Sequence, residues 1–115
     1  MLLNVTAMIL GTPVCTLVNS GATRSFIDEK LQLCPPLHFI GAYSLLEMAN
    51  GDTIVSIGIA SSVLVCIGLV QCKCDLTAIP LMRGFDLVLG KDWLDVVNPL
   101  IDWRSNRIYT SSVPN

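Results

Sequence analysis

The chain has 115 residues, 52% of them hydrophobic and 14% charged, with a formal net charge of −2. That length supports one domain built on a single core and not two. The seven Lys and Arg residues are scattered, with no basic run and no interleaved aromatics, which argues against a phosphate-binding surface and against nucleic acid as a partner.

Residues 2–18 read as two strands broken at Gly11-Thr12-Pro13, where Gly and Pro punctuate an apolar pattern. A loop of small residues, 19–24, follows. Ser25 ahead of Phe26-Ile27-Asp28-Glu29 has the form of an N-cap with early acidic residues, and predicts a short helix to about Leu33, stopped by Pro35-Pro36. Residues 43–49 are a predicted strand and Asn50-Gly51-Asp52 a turn. Residues 53–71 contain no charge and have nearly the length of a membrane helix. Their Ile, Val and Ser content, their glycines and the turn before them favour two strands joined near Ser61-Ser62.

Further strands are expected to Asp75, over residues 76–81 and over residues 86–90, the last closed by glycine. Residues 92–97 form a short helix ended by Asn98-Pro99. Residues 100–103 and 107–109 read as a hairpin around Ser105-Asn106. Residues 1–110 are thus one mainly-β domain with one or two short helices, and residues 111–115 a polar, frayed tail. A domain this small and this apolar is expected to bury further surface against a partner.

The five cysteines, Cys15, Cys34, Cys66, Cys72 and Cys74, are odd in number, without repeating spacing and with only His38 for company. They form neither a disulfide framework nor a zinc site, so free thiols in a reducing, cytoplasmic compartment and no metal are expected. Trp93 and Trp103 read as core anchors, because no phosphate-cradling glycine pattern accompanies them; no cofactor is expected. The N-terminus lacks the basic region and cleavage site of a signal peptide.

Three ordered blocks stand out: Leu17-Val18-Asn19-Ser20-Gly21-Ala22-Thr23-Arg24-Ser25-Phe26-Ile27, then Met48-Ala49-Asn50-Gly51-Asp52, then Asp86-Leu87-Val88-Leu89-Gly90-Lys91-Asp92-Trp93-Leu94, with Ile101-Asp102-Trp103 after them. Together they resemble the retropepsin-type aspartic protease domain of gypsy-class LTR retrotransposon polyproteins. The loop is shared with ubiquitin-linked shuttle proteases and skin-type retropepsins, but the two Trp-bearing blocks fit the retrotransposon group better. The resemblance implies a small closed β-barrel that works as a homodimer on an extended peptide or polyprotein segment. It places Asn19, Ser20 and Gly21 at the catalytic triplet, with Ser20 bonding across the dimer axis. Ala22 and Thr23 would line the substrate cleft, as would Ala49, Asn50 and Gly51 from the flap. Leu89 and Gly90 would brace the catalytic loop from behind.

The family's triplet begins with aspartate; here it begins with Asn19. An aspartic protease needs two close carboxylates sharing one proton, one activating water and the other donating to the scissile carbonyl. In a homodimer both come from one sequence position, so the amide removes both. Asparagine still accepts hydrogen bonds through its oxygen but takes no proton near neutral pH. Catalytic silence is the expectation, leaving a peptide-binding or dimerisation module as an alternative. A small membrane protein spanning at residues 53–71 is the other. None of Asp28, Asp52, Asp75, Asp86, Asp92, Asp95 and Asp102 sits in a comparable triplet.

Overall fold

The computed structural model describes residues 2–41, 44–47, 51–81, 83–105 and 107–109. Its ten strands are β1 (Leu2–Ile9), β2 (Thr12–Asn19), β3 (Phe26–Asp28), β4 (Ser44–Glu47), β5 (Thr53–Ser56), β6 (Gly58–Ile67), β7 (Val70–Ile79), β8 (Leu87–Leu89), β9 (Leu100–Asp102) and β10 (Arg107–Tyr109), with one helix, α1 (Lys91–Val97). Six strands close into a barrel in the order β1-β2-β8-β3-β7-β6; β4-β5 and β9-β10 are separate two-stranded sheets. Strand alternation fills the barrel: Leu3, Ala7 and Ile9 of β1, and Val14, Thr16 and Val18 of β2, point inward and are buried.

Two expectations are corrected. No helix starts at Ser25; Phe26–Asp28 is instead a strand inserted between β7, which it parallels, and β8, which it opposes. The local acidic pattern gives way because Ile27 is buried in the core and the flanking backbone finds ladder partners: Asp28 N–H donates to Asp86 O over 2.9 Å and Glu29 N–H to Ile79 O over 3.0 Å. Nor does the uncharged stretch break at Ser61-Ser62. β6 runs through it with a register shift between Ala60 and Val63, where the Ser62 N–H bonds the Asp75 carboxylate over 2.9 Å. The hairpin turn comes later, at Gly68-Leu69, with Gly68 at φ 57°. Consequently β7 is one continuous strand, with no separate element at residues 76–81.

Residues 53–71, weighed as an alternative membrane span, are therefore β5, β6 and the start of β7 with their connections, and no helix among the described residues is long and apolar enough to cross a membrane. Residues 48–50, Asn106 and the tail lie outside the described residues, as do the expectations placed on them.

The barrel positions the loop after β2 by a clamp from behind. β8 parallels β2, pairing Leu89 with Val18 and Val88 with Leu17, so the chain leaves β8 directly under the loop. There Gly90 touches backbone. A Cβ on it would collide with the Arg24 carbonyl oxygen and stand 2.7 Å from that of Ala22. The Lys91 N–H donates to Ala22 O over 2.7 Å. Ser25, fully buried, donates through Oγ to Asp92 Oδ1 over 2.7 Å and accepts the Gly90 N–H over 3.1 Å, while its own N–H reaches Asp92 Oδ2 over 3.1 Å. Two donors of the helix's first turn are thus engaged: Lys91 N–H on the loop, and Trp93 N–H on Asp92 Oδ1 over 2.7 Å. Trp93 is buried in the core, which fixes the helix.

The five cysteines are free thiols. Cys74 is buried, and burial first, with the neighbouring Cys72 second, pushes its thiol up from 9.0 to about 12. A thiol held protonated in the fold contributes stability that is complete below about pH 9 and lost as pH rises towards about 12.

Two predictions follow from these contacts. Gly90→Ala forces backbone apart, and Ser25→Ala strands the buried Gly90 N–H while leaving Asp92 its bonds from the residue-25 and Trp93 N–H groups; each is expected to cost about 1–3 kcal/mol. Urea unfolding is the measurement, and midpoints equal to wild type for both variants would refute the clamp. In thiol labelling at pH 8, the exposed Cys15 and Cys34 should react first, and Cys74 only on unfolding; early modification of Cys74 would contradict its burial.

Candidate active-site cleft

Asn19 ends β2, paired with Leu2 of β1. The chain turns immediately: Ala22 N–H donates to the Asn19 carbonyl oxygen over 3.1 Å. Gly21 N–H donates to the Asn19 side-chain Oδ1 over 2.9 Å. A Cβ at residue 21 would lie 3.2 Å from that oxygen, so glycine allows the backbone donor its close approach. The bond fixes the amide's orientation, since only its oxygen accepts; Nδ2 keeps two donors. The group at the end of β2 is a hydrogen-bonding amide with no exchangeable acid function.

A cavity of about 590 Å³ opens over this loop. Its lining comes from Asn19, Gly21, Ala22, Thr23, Arg24 and Phe26 on the loop and its flanking strands, and from Leu45, Leu46 and Glu47 of β4. The structure therefore gathers four of the sequence-selected residues, Asn19, Gly21, Ala22 and Thr23, around one space. Leu89 and Gly90 sit behind it, in the barrel wall and the clamp. Ser20 is exposed on the turn. Gly51 is exposed with φ 88°, while Ala49 and Asn50 fall outside the described residues.

No aspartate among the described residues lines the cavity. Several are held elsewhere by backbone donors: Asp28 by Lys30 and Leu81, Asp75 by Ser62, Asp86 by Cys15 and Asp92 by Ser25. Asp102 is exposed, and hydrogen bonds from Ser105 foremost, then Arg104, hold its carboxyl below the usual range. Among the described residues no group of His, Cys, Asp and Glu is placed to hold a metal ion.

Sequence reasoning missed Ser25 and Asp92 as a linked pair, assigning each to a helix start. The signal lay in their positions, one just beyond the loop and the other two residues past Gly90. It also missed Arg24, Phe26, Leu45, Leu46 and Glu47 as cleft walls, because the β4 register that carries the last three is set by pairing with β5.

The fold matches the retroviral protease-like domain of Ddi1 from Leishmania major, known from a crystal structure, with a TM-score of 0.70 and 19% sequence identity; the match covers 98% of this chain and 90% of that one. At that identity the likeness concerns fold alone. No curated protein matches the sequence. The family described as the PEG10/RTL1 protease domain matches residues 15–114, a span that includes Asn19, the clamp at Gly90 and the helix after it. This chain, a closed β-barrel with an amide at the end of its second strand, belongs to the PEG10/RTL1 protease domain family.

Proposed function

We propose that this retropepsin-like domain works as a homodimer that holds an extended peptide or polyprotein segment without cleaving it. One observation carries the reading: the side chain at the end of β2 is an amide, its oxygen bonded to the Gly21 N–H over 2.9 Å, at the wall of a cavity of about 590 Å³. An amide neither takes a proton from water nor gives one to a carbonyl near neutral pH. Among the described residues no aspartate lines the cavity to supply the missing function.

The remainder of the cleft suits a ligand. Leu45 is 73% exposed on the cavity wall, an apolar surface that a peptide side chain would cover. Among the described residues β4 pairs with β5 alone, which leaves its other edge to accept an extended segment by strand addition. Dimerisation would bring two such half-clefts together, with the partner's loop across the axis, and accords with the high apolar content of so small a chain.

The test is restoration. Asn19→Asp should produce peptide cleavage favoured by acid and blocked by pepstatin-like inhibitors, exceeding the parent by at least ~10²-fold, the lower end of what acid–base catalysis contributes. Comparable cleavage by the parent protein would overturn the silent reading. A folded, dimeric Asn19→Asp protein without activity would show that the cleft no longer positions a scissile bond.

A further inference from the structure

Two charged side chains from different elements line the cleft. Arg24 stands on the loop side and Glu47 at the end of β4, where it pairs with Thr53. Both residues are exposed, and no hydrogen bond or ion pair engages either side chain among the described residues. Around them the lining is neutral, with Ala22, Phe26, Leu45 and Leu46 supplying its apolar part. The net effect is a largely apolar groove with one cation on the loop after β2 and one anion on β4.

An apolar peptide alone would cover Phe26 and the two leucines but leave both charges to be partly desolvated without compensation, an unfavourable arrangement. A peptide bearing one charge of each sign removes that penalty at both walls. We propose that the cleft selects extended peptides in which an acidic and a basic side chain accompany an otherwise apolar sequence, Arg24 taking the carboxylate and Glu47 the ammonium or guanidinium group. This rests on the peptide-binding reading above. Arg24 is suited to its task because a guanidinium engages a carboxylate through two parallel N–H donors. The two contacts are exposed, so each supplies selectivity more than strength, roughly two- to fivefold in affinity.

The experiment titrates four short fluorescent peptides onto the dimeric protein and reads anisotropy. They share an apolar core and carry Glu and Lys, Glu and Gln, Gln and Lys, or Gln twice. The Glu/Lys peptide should bind most tightly and the doubly neutral one least, with the difference vanishing between about 0.05 M and about 1 M salt as screening shortens to a few ångströms. Arg24→Gln should erase the advantage of Glu and leave that of Lys; Glu47→Gln should do the reverse. Both residues are exposed, so circular dichroism and dimer mass should be unchanged in these variants. Equal binding of all four peptides overturns the charge selection while leaving peptide binding intact. Binding of none of them overturns the peptide-binding reading and this inference with it.

Discussion

Two pieces of main chain meet closely at Gly90, and the rest of the cleft depends on that contact. The segment after Asn19 carries small and polar side chains with little to bury, and on its own such a loop would sample many conformations. It is held because Gly90, arriving from β8, has no side chain to keep it at a distance. That absence brings the Lys91 N–H onto Ala22 O and the Ser25 hydroxyl between the Gly90 N–H and Asp92. The loop is fixed by groups behind it, so its front face stays available to a ligand. A site organised in this way keeps its shape without relying on the ligand or on the residue at position 19.

This explains how the barrel and the clamp persist in a chain without the customary carboxylate. Neither the ladder that pairs Asn19 with Leu2 nor the bonds at Gly90 involve the Asn19 side chain. The side chain's own contact, with Gly21 N–H, needs only an acceptor, and an amide oxygen serves as a carboxylate oxygen would. Structure and proton chemistry are therefore separable at this position. Substitution by aspartate there would change the proton chemistry while leaving the bonds at Gly90 untouched.

Much of this was legible in the sequence. Alternating apolar residues and the Gly-Thr-Pro break gave β1 and β2; a glycine-terminated apolar run gave β8; Asn98-Pro99 marked the end of α1, where Asn98 does adopt a left-handed conformation at φ 47°. The ordered blocks gave the barrel and the loop. The failures share a cause. Ser25 carries a good local N-cap signature, yet its hydroxyl goes to Asp92, distant in sequence, and Ile27 is claimed by strands on both sides. Ser61-Ser62 looks like a turn, but an irregular strand with a carboxylate from β7 absorbs it. Local chemistry predicts local partners; where a side chain is taken by a remote strand or helix, the pattern misleads. Arg24 and Glu47 were unreadable as joint lining of one cleft for the same reason, since they lie far apart in sequence and Glu47 sits on β4, paired with Thr53 of β5.

The Asn19 amide also has a chemistry that operates on a longer clock than folding or binding. Hydrolysis of a side-chain amide consumes one water, releases ammonia and leaves a carboxylate. Direct hydrolysis here would give aspartate, with an oxygen already facing the Gly21 N–H, whereas ring closure through the next backbone nitrogen would also give iso-aspartate. Everything else that the clamp arranges would be unaltered. The difference between an amide and an acid at the end of β2 is thus a single C–N bond, and the covalent age of a sample can be read by mass at position 19.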